Sequence, residues 1–244
     1  MEPSGRRRKF LILGGIAAFV LGLFLFFSPW LGLARHHFNF LPYYGPKETS
    51  VVERDGKQVI DTSYFKIPSF NFIDRYGRPF SDRDVEGKIV VADFFFTTCT
   101  TICPKMSVQM QQLQLKLDDP AYADVVFLSH TVDPEHDTPA VLDAYARKLE
   151  ADPQRWKFLT GSAPDIYRQG NTGYWLGALE DTLNPERFVH DSRFVLVDKQ
   201  RHIRGYYEGT SMEGMNALAA DIKMLLKEEK IKAAEQAQTA RDNR

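Results

Sequence analysis

Cys99 and Cys103 are the two cysteines of a 244-residue chain, and three residues separate them in Thr97-Thr98-Cys99-Thr100-Thr101-Ile102-Cys103-Pro104. Several chemistries use a thiol pair. A structural disulfide across so short a loop constrains little chain, roughly 2 kcal/mol on the loop-length relation, which makes it a poor use of the pair. A structural zinc site takes four nitrogen or sulfur ligands, commonly from two or more cysteine pairs, and one pair exists here. Two chemistries stay open: reversible dithiol–disulfide exchange, and a soft-metal site with one or two further ligands. Residues i and i+4 on one helical turn lie about 6 Å apart, within the Cα range of a disulfide. Spacing alone does not choose between the two.

The elements around the pair position it. Ile89-Val90-Val91-Ala92-Asp93-Phe94-Phe95-Phe96, bounded by Gly87 and the threonines, is an apolar run of strand length that predicts a strand buried on both faces, as in a parallel sheet. Pro104 suits a first helical turn, and Met106, Met110, Leu113 and Leu117 recur at helical spacing. That spacing makes the two methionines core residues rather than thioether ligands. The cysteines therefore sit on a strand-to-helix turn, where free N–H groups and the helix dipole lower thiol pKa values. Both are expected to act as thiolates.

Asp93 interrupts the apolar strand six residues before Cys99, the offset of the buried aspartate that serves proton transfer in thioredoxins. Burial costs a carboxylate several kcal/mol unless it is paired or neutralised, and raises its pKa. Asp93 is thus a candidate proton acceptor for the dithiol, or else a strand-margin residue bonded to Thr97, Thr98 or Lys88. The three-residue spacer argues against an oxidoreductase, which usually has two residues between its cysteines. A thiol peroxidase needs a Thr or Ser three residues before its cysteine and a proline four before that; Phe96 and Ala92 stand there instead.

Arg6-Arg7-Arg8-Lys9 precedes Phe10 to Phe27, eighteen residues with neither charge nor proline. That length predicts one transmembrane helix, an anchor over 10–34 after a basic tip at 1–9. A signal peptide would usually have a shorter apolar core, although Gly32-Leu33-Ala34 keeps cleavage open. No cysteine follows the core, which excludes lipoprotein processing. The basic tip holds the N-terminus in the cytoplasm. The remaining chain is then exported to the periplasm or its mitochondrial equivalent, where working thiols require a reductant.

Residues 35–66 read as a tether with a short hairpin at Asp55-Gly56, and His36-His37 as solvated linker histidines. Ile67–Ile73 alternates like an edge strand, Arg75-Tyr76-Gly77 turns, and Ser81-Asp82 caps a short helix. Val125–Ser129 and Lys157–Thr160 read as further strands, Pro139 to Glu150 as a helix, Gly173 to Asn184 as loop. A hairpin over Arg193–Val197 and Ile203–Tyr207 and a helix over Met215–Lys227 close the domain, and 228–244 reads as a frayed polar tail. This is one α/β domain with a central mixed sheet over 67–227. Lys plus Arg is 31 against 32 Asp plus Glu, so no basic field recruits nucleic acid.

Sites in open α/β sheets form beyond the carboxyl ends of the parallel strands. His190, just before an antiparallel strand, and His130, ending the second parallel strand, are the candidate third ligands, with His190 the better placed. His136 lies in the next loop and His202 at the opposite edge. Asp133 suits a residue that orients the metal loop, or ordinary Asp-Pro punctuation. Trp175 and Tyr174 fit a docking face or the core equally.

Three blocks together, Cys99-Thr100-Thr101-Ile102-Cys103-Pro104, Asp133-Pro134-Glu135-His136-Asp137-Thr138 and His190-Asp191, resemble the SCO/SenC family from about Ile67 to Leu226. The resemblance implies a thioredoxin-like fold and one copper ion held by Cys99, Cys103 and His190. It also implies delivery of copper to cytochrome c oxidase subunit II or a similar recipient, or reduction of that site's cysteines. Independently, two thiolates and an imidazole form a set suited to Cu(I) and able to hold Cu(II). The expected protein is a membrane-anchored copper chaperone; the alternative is a thiol:disulfide oxidoreductase with Cys99 and Cys103 as its redox pair.

Overall fold

The chain divides into two units, residues 1–39 and 40–244. The computed structural model describes residues 14–24, 40–54, 56–180 and 188–242. In the first unit, residues 14–24 are helical with Phe19, Val20 and Leu21 exposed. Among the described residues no helix is long and apolar enough to cross a membrane. Much of the expected 10–34 span lies outside the described residues, as do His36 and His37.

The second unit opens with β1 (Lys47–Arg54) and β2 (Lys57–Tyr64), an antiparallel hairpin whose last pair is Arg54 opposite Lys57. The expected hairpin is present, and it takes up most of what reads as tether. β3 (Asn71–Asp74) and β4 (Pro79–Ser81) follow, then a 3-10 turn over Asp82–Val85, where the Ser81 amide and hydroxyl both donate to Asp84. Next come β5 (Ile89–Phe95), α1 (Cys103–Lys116), β6 (Val125–Thr131), α2 (Pro139–Lys148) and β7 (Trp156–Thr160). A short α3 (Ala163–Arg168) runs into a π-helical turn at Gln169–Tyr174. β8 (Ala178–Glu180) and β9 (Phe188–His190) pair with each other, where the sequence reads loop over 173–184. β10 (Arg193–Val197), β11 (Ile203–Glu208) and α4 (Met212–Asp242) complete the chain.

Seven strands form one sheet in the order β11-β10-β5-β6-β7-β3-β4. β5, β6 and β7 are parallel and their neighbours antiparallel, so the sheet is mixed as expected. Every residue of β5 and β6 is buried, the state their continuous apolar composition predicts for strands covered on both faces. The segment read as an edge strand over Ile67–Ile73 is corrected. Its strand is Asn71–Asp74 and lies inside, between β7 and β4. Pro68 precedes the strand; the edge proline is Pro79, opening β4, where a missing N–H costs no ladder bond.

The tail is also corrected: α4 runs on to Asp242. Its Lys, Glu, Gln and Ala are strong helix formers, and Glu228 is fully buried. Glu228 and Asp198 flank the buried Arg204, whose Nη2 lies 2.9 Å from Glu228 Oε2 and whose Nη1 lies 3.2 Å from Asp198 Oδ2. Arg204 also donates to the carbonyls of Leu41 and Pro42, with its guanidinium 4.2 Å from the Tyr43 ring centroid. Residues 41–43 are therefore strapped to the domain.

Candidate metal centre

β5 ends at Phe95 and α1 begins at Cys103, so the cysteine segment is the turn joining a central parallel strand to its crossover helix. No disulfide joins the two cysteines; Cys99 is 6% exposed and Cys103 is fully buried. The Cys103 amide donates to Cys99 Sγ at 3.4 Å, which brings the first sulfur over the open end of α1. Thr101 Oγ1 lies 3.7 Å from the same sulfur. The expectation that both thiols are readily ionised fails at Cys103. Burial, and then its hydrogen bond with Cys99, push that thiol well above its ordinary value, because desolvation outweighs the helix dipole.

Asp93 is 2% exposed. It accepts from Ser129 Oγ at 2.6 Å, and that hydroxyl accepts from Trp156 Nε1 at 2.9 Å. Thr97 pairs instead with Asp137, and Lys88 with Asp124. Asp93 lies on the α1 side of the sheet, and its charge contributes to raising the Cys103 thiol.

His130 is not at this site. It stands opposite Phe94 in the β5–β6 register, one step from the Asp93–Ser129 pair, and so projects to the other face. There it is fully buried among Phe70, Phe72, Phe94 and Tyr174, and among the described residues neither ring nitrogen has a hydrogen-bond partner. Burial holds its pKa down at about 3. His202 sits at the start of β11, 3.2 Å from Asp198, at the opposite edge. Met106 and Met110 are fully buried core residues, and so is Tyr174 at 2% exposure. Trp175 is 46% exposed, with a left-handed backbone at φ 57°.

His190 ends β9, paired through its backbone with Ala178. The next residue, Asp191, receives the Arg193 amide at 2.9 Å and the Arg193 guanidinium at 2.8 and 2.5 Å. β10 then runs antiparallel to β5, Val195 opposite Ala92 and Val197 opposite Val90. The chain at His190 thus enters the sheet from the edge at which β5 delivers the cysteine turn, although the His190 side chain itself lies outside the described residues. Among the described residues, no three His, Cys, Asp or Glu side chains gather in a metal-holding group.

In the Asp133–Thr138 loop, Asp133 Oδ1 receives the His136 amide at 3.3 Å, the local turn that Asp-Pro punctuation predicts. The carboxylate that reaches the cysteine segment is Asp137. It is fully buried and receives the Thr97 amide at 3.1 Å, the Thr97 and Thr131 hydroxyls, and faces His136 Nδ1 at 2.9 Å. That hydrogen bond raises the His136 pKa. Asp137 escapes a sequence reading because it stands beside Thr138-Pro139 and looks like part of a helix start. The clue is a threonine at the carboxyl end of two neighbouring strands.

The SCO1/SenC family model matches residues 60–227. A SCO1 protein homolog of Bacillus subtilis (strain 168) is 29% identical over 168 residues, which cover 69% of this chain and 86% of that one. The structure of BsSco, a member of the Sco family of cytochrome c oxidase assembly proteins in which a disulfide switch was identified, superposes with a TM-score of 0.59 at 29% identity. That match covers 66% of this chain and 94% of BsSco. Bradyrhizobium japonicum ScoI, solved with copper bound, shares the fold with a TM-score of 0.55 at 23% identity, over 66% of this chain and 99% of that one.

Proposed function

The chain belongs to the SCO1/SenC family, and from that premise we propose that it is a copper-binding chaperone in cytochrome c oxidase assembly, holding its cargo with Cys99, Cys103 and His190. The observation that carries the reading is the pair of unbridged thiols on one turn, one at the surface margin and one buried beneath it, with the amide of the second on the sulfur of the first. Two thiolates and an imidazole match Cu(I) and tolerate Cu(II), and a set of three leaves an approach for a recipient's ligands. Cys103 stays protonated until metal arrives, so copper uptake releases protons. The copper recipient is subunit II of the oxidase or a similar protein. The same reading includes the 10–34 anchor in the inner membrane, the N-terminus in the cytoplasm and the domain in the periplasm or its mitochondrial equivalent.

Copper titration of the reduced full chain in detergent tests this, beside Cys99→Ser and His190→Ala. The expected result is one equivalent of tightly held copper, lost in Cys99→Ser, with Cu(II) weakened more than Cu(I) in His190→Ala. Equal weakening of both oxidation states rejects His190 as the replaceable donor, and no saturable binding rejects the chaperone.

The Asp93–Ser129–Trp156 chain beside Cys103 favours one second reading, a thiol:disulfide oxidoreductase. In it Cys99 and Cys103 pass two electrons and two protons to a partner disulfide and become a disulfide themselves, with Asp93 relaying one of those two protons and an external thiol reductant restoring the pair. Partner reduction that survives His190→Ala and is lost in Asp93→Asn selects this reading.

A further inference from the structure

The β5–β6 ladder ends at Phe95 opposite Thr131, with one more backbone bond from Val132 to the Phe95 carbonyl. Beyond it the chain leaves the sheet and must still hold Cys99 in a defined place. Among the described residues the Asp133–Thr138 loop anchors it there: His136 Nδ1 lies 3.3 Å from the Thr97 hydroxyl, and the Asp137 carboxylate makes the larger set of contacts. Asp137 takes both the amide and the hydroxyl of Thr97, two residues before Cys99, and is itself tethered to the end of β6 through the Thr131 hydroxyl. The Cys99 amide then closes the turn on the Phe96 carbonyl at 3.3 Å. A fully buried carboxylate is costly unless its lone pairs are met by donors. Starting α2 does not require it, because Thr138 and Pro139 already stand at the helix start. Its donors are distributed so that removing it frees the cysteine turn on one side and the β6 end on the other.

We propose that Asp137 is the positioning residue of the dithiol turn: by fixing Thr97 it sets where Cys99 Sγ stands relative to the Cys103 amide, and so how accessible and how metal-ready the pair is. The metal part of this statement rests on the copper reading above; the accessibility part does not. Partners that orient a metal ligand typically change affinity by about 10–100-fold when removed.

The test uses the reduced full chain in detergent and two measurements on each variant, the alkylation rate of Cys99 by iodoacetamide and Cu(I) affinity by competition. Thr97→Val and Thr131→Val each remove one hydroxyl donor from the same carboxylate, and only the first is on the cysteine segment. The expected result is alkylation faster by on the order of tenfold and copper binding weaker by at least that factor in Thr97→Val and Asp137→Asn, with Thr131→Val within about twofold of wild type. Thr97→Val at the wild-type alkylation rate overturns the proposal. So does Thr131→Val matching Thr97→Val, the signature of a carboxylate that only stabilises the fold. If Asp137→Asn does not fold, the two threonine variants decide alone. If the wild type takes up no copper, the chaperone reading falls while the alkylation comparison still decides this one.

Discussion

His130 and Asp93 occupy neighbouring rungs of the same strand pair and meet opposite fates. Asp93, level with Ser129, has a donor waiting on the next strand. His130, level with Phe94, is enclosed by aromatic rings, with neither nitrogen partnered among the described residues and its pKa held down at about 3 by burial. An unfolded histidine titrates near 6.5, so between these values the unfolded chain binds a proton that the native chain refuses. Native stability is therefore complete above pH 6.5 and is lost as the pH falls. From this residue alone the loss reaches roughly 3 kcal/mol by pH 4. His130→Phe, which removes both ring nitrogens from the cage, is expected to match or exceed wild-type stability at pH 7 and to flatten the acid limb of the curve. Urea midpoints across pH 4–7 check this; parallel curves for the two proteins would show that His130 is not the titrating group.

At the scale of elements, α4 does more than cover the sheet. Glu228 lies in the half of the helix that composition marks as tail, yet it is sealed against Arg204 and also receives the Leu41 amide at 3.2 Å. Removing Glu228 leaves the buried Arg204 with Asp198 as its carboxylate partner and takes the acceptor from the Leu41 amide; breaking a buried ion pair costs about 3–5 kcal/mol. Glu228→Ala is therefore expected to lower thermal stability by that much and to loosen the Leu41–Tyr43 strap. A melting temperature within a degree or two of wild type contradicts the assignment. The hairpin β1–β2, by contrast, is mostly exposed, with Val51 and Ile60 paired across it at 66% and 72% exposure, so its loss should cost the sheet little.

For the molecule as a whole, the chaperone reading requires a tethered domain whose dithiol edge meets a partner at the membrane. The chain is near neutral overall, and on the proposed reading the four basic residues before Phe10 would be a local topology signal rather than part of a basic field. The full chain is expected to remain with membranes through alkaline carbonate extraction, with a protease site placed before Phe10 cleaved only from the cytoplasmic side. Release by carbonate, or cleavage from the opposite side, rejects the anchor or its orientation.

Much of this protein is legible along the chain. Continuous apolar runs identified the parallel strands, because a strand buried on both faces has no polar alternation to keep. Pro104 and the Met106–Leu117 spacing placed the cysteines on a strand-to-helix turn, since both signals are local. The helical tail is also encoded, in residues of high helix propensity, although its polar composition reads as a frayed end. What the chain could not disclose is which side chains face each other across strands and loops. One step of register puts Asp93 beside Ser129 on the α1 side and His130 on the other, and no local pattern records that step. Likewise Asp133 and Asp137 are equivalent by composition. Asp137 takes the Thr97 amide and hydroxyl because the ends of β5 and β6 converge on it in space, and that convergence exists only in the folded chain.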